Sequence, residues 1–460
     1  MPGRSAASGV FKAYDIRGIV PDELDADLAR RVGRAFIEYL QAKSIAIGRD
    51  MRDSSPGFAR ALCEGAMAGG AQVTDIGMTT TDMVYFAVPH FELDGGAMVT
   101  ASHNPKEYNG FKLVREGALA LSGDAGIKEI KEWIVSGREF PDRPRGSRVE
   151  RDILPDYVRH VRSFIDTNVL KAFRVVMDAA NGMAGAVAPA IFSDLPFQRV
   201  EMYFEPDGSF PNHEANPLVE ENRRAIIERV LAEKADLGIA WDGDGDRCFF
   251  IDDRGRFVPG DFITALLGEA FLLKEPGSTI LFDVRASWAV KDTVEKLGGR
   301  ALMNRVGHAF IKKRMREENA VFGGEISGHF YFRQNYFADN GMIPALLILE
   351  LMSKKGKTLS ELLAPLRQKY FITGEINSKI EDVPAVLARL ESRYSDGRIS
   401  KLDGLSVDYP GWHFNVRPSN TEPLLRLNLE ALEEDEMKRR REEVLRVIRE
   451  NRISNQRVSG

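Results

Sequence analysis

Short aliphatic runs recur along the chain, and three of them share one sequel. Ile45–Gly48 runs into the polar turn Arg49–Ser55, Phe173–Met177 into the small-residue turn Asp178–Gly185, and Thr279–Phe282 into Asp283–Ser287; a helical pattern follows each turn. An apolar β-branched run, an Asp at or near the strand end, a small-residue turn and a helix make the strand-to-helix entry of a doubly wound layer. Three such entries predict three related α/β domains. Gly96–Val99 and Leu237–Ala240 read as further buried strands, each delivering a polar loop. Phe140–Ser147, rich in Pro, Gly and charge, reads as a linker, and the charged turn Asp252–Gly255 marks a second break. Thr358–Lys369 reads as a helix, and the texture changes near Phe371. The final stretch Glu433–Asn451 carries Met437, Val444, Leu445, Val447 and Ile448 among charges, an amphipathic helix that packs on a sheet. The fold expected is α/β, with three related α/β domains and a smaller C-terminal α+β domain. Its divisions fall at residues 1–145, 146–252, 253–367 and 368–460.

Composition changes this picture little. The 460 residues are 43% hydrophobic and 28% charged, ordinary for a soluble globular chain long enough to bury several cores. A formal net charge of −5 offers no basic field for nucleic acid or an anionic membrane. Cys63 and Cys248 stand among apolar neighbours and read as buried free thiols, which suits a reducing cytoplasm. Met1–Gly9 lacks the apolar core of a signal peptide, and the run Ile343–Leu351 is too short to span a bilayer.

Four segments carry chemistry. Thr100–Pro105 (TASHNP) places Ser102 beside His103 and Asn104, with Lys112 ten residues on. A nucleophilic hydroxyl whose neighbours stabilise an anion or move protons would look like this, although a capping serine in a turn looks similar. Trp241–Cys248 (WDGDGDRC) alternates Asp242, Asp244 and Asp246 with glycines directly after a strand. Three hard oxygens without sulfur or imidazole favour magnesium or calcium over zinc. A calcium EF-hand loop fits poorly, because Arg247 and Asp253 occupy the positions that need Gly and Glu. A phosphate on Ser102 would supply a further oxygen to such an ion. Gly323–Phe330 (GGEISGHF) offers Glu325, Ser327 and His329, and the first two could hold neighbouring sugar hydroxyls. Arg417–Glu422 (RPSNTE) gathers an arginine, two hydroxyls and an amide that can cradle a phosphate dianion. Arg285 and the Gly307–His308 turn are lesser signals.

These four segments, in this order and spread over nearly the whole chain, resemble the α-D-phosphohexomutases, and Phe11–Gly18 (FKAYDIRG) adds a fifth match. The resemblance implies four domains around a central cleft, and a mutase interconverting hexose 1-phosphate and 6-phosphate through a phosphoserine and a hexose 1,6-bisphosphate. Within the family, the bacterial phosphomannomutase/phosphoglucomutase branch is most similar, with Ile326 where that branch carries Met. Phosphoglucosamine mutases, which usually show Gln there, are the alternative. Residue by residue, the resemblance makes Ser102 the phosphoserine and Asp242, Asp244 and Asp246 the Mg2+ ligands, with Arg247 beside them. Glu325 and Ser327 would bind O3 and O4 of the sugar. Arg417, Ser419, Asn420 and Thr421 would bind the substrate phosphate. Tyr14, Arg17, Lys112, Arg285, His308 and His329 would line the cleft; position 285 departs from the Lys common in the family. Lys112 and Arg17 would stabilise the moving phosphoryl group, while His329 and Lys112 both stand as candidate general bases. Glucose 1,6-bisphosphate is the expected activator, hexose phosphates the expected partners, and a cytoplasmic monomer the expected form. Two readings from other classes compete: a serine hydrolase on Ser102 and His103, which lacks the Gly-x-Ser-x-Gly elbow, and a non-catalytic calcium-dependent sugar-binding protein.

Overall fold

Strand Ser44–Arg49 is buried from Ile45 to Gly48, with parallel neighbours on both sides, which is why its sequence is continuously apolar rather than alternating. It is β2 of the first sheet in a computed structural model that describes residues 9–419 and 424–450. The first sheet contains β1 (Ile16–Ile19), β2, β3 (Gln72–Met78), β4 (Gly95–Val99), β5 (Tyr108–Arg115), β6 (Leu119–Ala120) and β7 (Arg148–Glu150), along the path β1-β5-β4-β2-β3-β7. The second contains β8 (Phe173–Asp178), β9 (Phe197–Met202), β10 (Leu237–Trp241), β11 (Cys248–Asp252) and β12 (Phe257–Val258), in the order β12-β11-β10-β8-β9. The third set is β13 (Thr279–Asp283), β14 (Arg300–Asn304), β15 (Phe322–Gly324), β16 (Phe330–Phe332) and β17 (Ala338–Asp339). Here β13 and β14 pair in parallel, and β16 and β17 antiparallel. The last sheet is antiparallel where its pairings are described. It holds β18 (Phe371–Ile372), β19 (Ile376–Lys379), β20 (Arg398–Ser400), β21 (Leu405–Asp408), β22 (Trp412–Pro418) and β23 (Leu424–Ala431).

The three apolar runs singled out in the sequence are β2, β8 and β13, each the first of a repeated succession. In the first two domains that strand pairs in parallel with the next (β2 with β3, β8 with β9) and with the one after (β2 with β4, β8 with β10). A fourth strand then returns antiparallel, β5 on β4 and β11 on β10. The connection between third and fourth strand therefore leaves the carboxyl end of a buried parallel strand, where α/β sheets present ligands. Ser102 lies on the β4–β5 connection, the three aspartates on the β10–β11 connection, and Glu325–His329 on the corresponding β15–β16 connection.

The linker segment is irregular up to Ser147, after which β7 pairs with β3. Asp252–Gly255 is the turn between β11 and β12. The helices Leu359–Lys369 and Glu434–Arg449 form as expected, and Val444, Val447 and Ile448 of the latter join the core of the last sheet. Cys63 and Cys248 are free and buried. No helix of the described residues is long and apolar enough to cross a membrane.

The chain divides into two compact units. The first comprises the described residues of Met1–Val258, Lys312–Phe322 and Ser327–Ser360, and the second those of Pro259–Ile311, Gly323–Ile326 and Glu361–Gly460. Inside the first unit, distant segments meet on one buried carboxylate. Asp82 accepts from Tyr157 Oη at 2.8 Å and from the Gly341 N–H at 3.2 Å, and also from Thr80 Oγ1. Asn340 Nδ2 in turn donates to Tyr157 Oη at 2.9 Å, and Trp241 Nε1 donates to the Gly341 carbonyl at 2.8 Å. The network ties the helix Thr81–His90, the helix Leu154–Arg162 and the stretch before Ile343 to the strand that delivers the aspartates.

Tyr157→Phe leaves Asp82 and Asn340 each short of one partner without changing the shape of the core. It should destabilise the first unit by about 1–3 kcal/mol, seen as a lower urea midpoint. Asp82 itself gives a pH signature. Burial outweighs its three hydrogen bonds and pushes its carboxyl up to about 7. A folded-state value above the unfolded one means stability that is full in acid and lost as pH rises through about 7. Asp82→Asn cannot ionise, so wild type should lose stability relative to this variant as pH rises from the ordinary carboxylate range toward about 7 and level off above it, in urea titrations at several pH values. A pH-independent difference would contradict the assignment.

Candidate active site

Ser102 sits where β4 gives way to a tight loop, and its backbone adopts φ +51°, a left-handed conformation costly for a non-glycine residue. The surrounding structure enforces it. The Ser102 N–H donates to Thr100 Oγ1 at 2.9 Å, and the Asn104 N–H to the Ala101 carbonyl at 3.0 Å. Arg52, 1% exposed, donates to four carbonyls of the loop: Ser102 at 3.0 Å, Asn104 at 2.6 Å, Pro105 at 2.7 Å and Tyr108 at 3.0 Å. Asp50 holds Arg52 through Nε at 3.2 Å. Arg17 Nη1 reaches the same loop, donating to Asn104 Oδ1 at 2.6 Å, and Tyr14 lies half-buried three residues before it.

The aspartate loop closes on this serine. Asp242, Asp244 and Asp246 are buried, and one oxygen from each lies within 4.8 Å of the others. Gly243 makes the approach possible, since a Cβ there would stand 2.5 Å from the Ser102 carbonyl oxygen. Gly245, at φ +73°, turns the chain between the second and third carboxylates. Ser102 Oγ donates to Asp242 Oδ2 at 2.9 Å and lies 3.1 Å from His103 Nδ1.

The carboxylates are met by cations from separate elements. Lys112, on β5 opposite Met98, donates to Asp244 Oδ2 at 2.6 Å and Asp246 Oδ2 at 2.5 Å. Arg247 Nε donates to Asp242 Oδ2 at 2.8 Å. Thr81 Oγ1, at the start of the helix Thr81–His90, donates to Asp244 Oδ2 at 2.5 Å. Burial pushes the Asp242 carboxyl up to about 7, opposed by Arg247 and reinforced by its two like-charged neighbours. Burial would raise Asp244 and Asp246 as well, but Lys112 carries both below the usual carboxylate value. His103 is held well below the ordinary imidazole value by burial and then by Arg247 and Arg17, so it is a neutral ring.

The donor set fits a hard divalent cation. Asp244 Oδ1 and Asp246 Oδ1 are buried without a hydrogen-bond partner, and such orphaned acceptors call for a positive ligand. A second grouping, Asp246, His329 and Asp339, also brings one ligand atom from each within 4.8 Å. There, however, Lys312 already engages Asp339 at 2.5 Å in a pair 1% exposed on each side. His329 stands with its Nε2 3.6 Å from Asp246 Oδ1 and its Nδ1 3.0 Å from Ser327 Oγ.

The second unit gathers the remaining residues around arginines. Arg285 is fixed by Asp283 through Nε at 2.9 Å and Nη2 at 3.0 Å, and lies 4.0 Å from Glu325 Oε1. Glu325 Oε1 accepts from the Gly307 N–H at 3.0 Å, and Asp283 Oδ2 from the Ile326 N–H at 3.0 Å, so β13 supports the loop that carries Glu325. His308 opens the helix His308–Glu317. Arg417 is buried at the end of β22, and Ser419 accepts from Arg426 Nη2 at 3.2 Å. Asn420 and Thr421 lie outside the described residues. The structure thus groups Arg17, Ser102, His103, Lys112, the three aspartates, Arg247, Ser327 and His329 in the first unit. Arg285, His308, Glu325, Arg417 and Ser419 belong to the second.

Several residues central to these arrangements were not singled out from the sequence. Arg52 lies in the polar turn Arg49–Ser55, where an arginine two residues after a strand-end Asp was the available signal. Asp283 stands at a strand end with Arg285 two residues on, the same local signal as Asp50 and Arg52, whereas Thr81 reaches Asp244 and Arg426 reaches Glu375 from far away in sequence and gave no local signal.

Comparison with known proteins agrees with the geometry. Residues 8–139, 155–255, 259–370 and 375–447 match the models for phosphoglucomutase/phosphomannomutase alpha/beta/alpha domains I, II and III and the C-terminal domain. The chain is 46% identical over 423 residues to a protein named phosphohexose mutases from Xanthomonas campestris pv. campestris (strain B100), spanning 92% of this chain and 94% of that one. It is 44% identical over 431 residues to a phosphomannomutase of Salmonella typhimurium, again 92% and 94%. A crystal structure of a phosphoglucomutase/phosphomannomutase family protein from Burkholderia thailandensis superposes with a TM-score of 0.88 at 33% identity, over 98% of this chain and 99% of that one. With most of its length matched in sequence and nearly all in fold, and a buried serine set against three carboxylates, the chain belongs to the phosphoglucomutase/phosphomannomutase family of phosphohexomutases.

Proposed function

We propose that this phosphohexomutase interconverts the 1- and 6-phosphates of mannose and glucose, with phosphorylated Ser102 as donor and a hexose 1,6-bisphosphate as intermediate. The observation that carries the reading is the 2.9 Å contact between Ser102 Oγ and Asp242 inside a buried cluster of three carboxylates. Phosphoserine 102 gives its phosphoryl group to the free hydroxyl of the substrate; the serine O–P bond breaks and the sugar O–P bond forms. The bisphosphate turns over, and its other phosphate returns to Ser102. Lys112, Arg247 and Arg17 neutralise charge on the phosphoryl oxygens. Asp242, Asp244 and Asp246 would hold Mg2+, which when bound supplies further neutralisation of that charge.

The hydroxyl proton needs an acceptor. Lys112 already donates to two carboxylates, whereas His329 lies between Ser327 and Asp246 with a ring nitrogen facing each, which favours the histidine. His103, a neutral ring against Ser102 Oγ, orients the hydroxyl when the phosphate has left. Glu325 and Ser327 read the sugar's O3 and O4. Arg417, Ser419, Asn420 and Thr421 hold the substrate's own phosphate, with Tyr14, Arg285 and His308 lining the path. The parts 1–145, 146–252, 253–367 and 368–460 would then supply phosphoserine, metal, sugar and phosphate sites in turn.

Contacts confined to O3 and O4 ignore the 2-hydroxyl, where mannose and glucose differ. The names of the relatives, phosphomannomutase and phosphohexose mutases, favour these sugars over the glucosamine phosphate of the alternative branch. Glucose 1,6-bisphosphate would prime the unphosphorylated enzyme. Buried reduced thiols suit the cytoplasm, and one chain carries every residue named, so a monomer suffices.

A coupled assay with Mg2+ and a trace of glucose 1,6-bisphosphate should show comparable turnover of mannose 1-phosphate and glucose 1-phosphate, with glucosamine 1-phosphate far slower. Ser102→Ala should lower kcat by about a thousandfold or more. Rapid conversion of glucosamine 1-phosphate alone would sink the proposal. Arg52→Met should lower kcat roughly a hundredfold, because the loop it braces no longer aims the serine. Its KM should change little, since Arg52 touches loop carbonyls rather than the sugar. A raised KM at normal kcat would show that Arg52 serves binding instead.

A further inference from the structure

Glu375, one residue before β19, faces three guanidinium groups. Its Oε2 lies 3.3 Å from Arg285 Nη1 and 3.7 Å from Arg417 Nη2, and its Oε1 3.2 Å from Arg426 Nη1. Arginine side chains do not lose their charge in proteins, so the three are fixed positive charges that repel one another where water is scarce. Arg285 is already answered by the two oxygens of Asp283. Arg417 is not. Among the described residues the carboxylate within ion-pair distance of it is that of Glu375, and its Nε is buried without a hydrogen-bond partner. A charge-assisted pair closes to about 2.7–2.9 Å when built for itself. All three separations here are longer, as expected of an anion filling a space shaped for a larger one. The Glu375 side chain keeps 22% of its surface exposed, against 6% for Arg417, so it can swing into solvent while the arginine stays in place.

We propose that Glu375 is a placeholder in the phosphate clamp: its carboxylate holds the three arginines together between turnovers and is displaced by the substrate's phosphate. The inference rests on the reading of Arg417 as the phosphate-binding arginine. A dianion entering beside an unmoved Glu375 would meet a like charge, so the carboxylate both preorganises the clamp and limits its grip. That limit has a use in this reaction. The bisphosphate must leave the clamp and present its other end in every cycle, and a clamp with its own competitor lets go sooner.

The test measures glucose 1-phosphate binding by calorimetry in a Ser102→Ala background with Mg2+, where no turnover occurs, after thermal unfolding has shown each variant folded. Glu375→Gln and Glu375→Ala should both bind about tenfold tighter. In the Ser102-bearing enzyme the same substitutions should lower KM and kcat together, because release slows. Unchanged or weaker binding in both, with Arg417→Gln weakened tenfold or more, would overturn the placeholder and make Glu375 a strut for the arginines. Unchanged binding in Arg417→Gln would instead remove the phosphate clamp itself, and the inference with it.

Discussion

Three carboxylates buried within 4.8 Å of one another are the constraint that the first unit is built to satisfy. Like charges at that spacing away from water repel strongly, and folding can hold them only by bringing cations and donors to the same place. Those partners come from separate segments: Lys112 from β5, Arg247 from the aspartate loop itself, and Thr81 from the start of a buried helix. The first and second sheets are therefore joined through the site. The Asp82–Tyr157–Asn340 network reinforces the junction, and Trp241 carries it into the strand that delivers the aspartates.

The repeated strand succession explains why the chemistry arrives in the order it does. In each of the first three domains, one connection leaves the carboxyl end of the third strand and returns on the fourth. The serine, the aspartates and the Glu325–His329 stretch occupy that connection in turn. One topological position thus hosts Ser102, the buried carboxylates and the Glu325–His329 stretch, differing in side chains and glycine placement rather than in backbone plan.

How much of this the sequence disclosed depended on whether a signal was local. The apolar runs Ile45–Gly48, Phe173–Met177 and Thr279–Phe282 disclosed the repeat because continuous burial leaves a continuous apolar run. Asp242, Asp244 and Asp246 were legible because alternating carboxylates and glycines have few other uses. Arg417 was legible through its neighbours, two hydroxyls and an amide in one run, whereas Arg285 and His308 were faint signals that took their roles from family resemblance, since an isolated cation carries no pattern. Arg52 stayed hidden because its partners are backbone carbonyls, which no residue pattern encodes. Glu375 stayed hidden because its three arginines lie up to ninety residues away in sequence.

Charge balance then connects the serine to the ion its neighbours would hold. Three carboxylates against Lys112 and Arg247 leave the cluster about one negative charge in excess, and the neutral His103 does not alter that. A phosphate on Ser102 adds about two more. Carrying that excess in a pocket where Asp242 already resists ionisation up to about 7 is unfavourable without a further cation. A divalent ion returns the cluster to the balance it has with a bare serine. The orphaned oxygens of Asp244 and Asp246 are then the counterpart of the phosphoserine: acceptors left over when the serine is free, and needed once it carries its phosphate. The second unit shows the opposite arrangement, with Arg285, Arg417 and Arg426 converging on the single carboxylate of Glu375. On the proposed function, one cluster would be completed by a cation and the other by an anion, as a reaction that passes a dianionic group to and from a phosphorylated sugar requires.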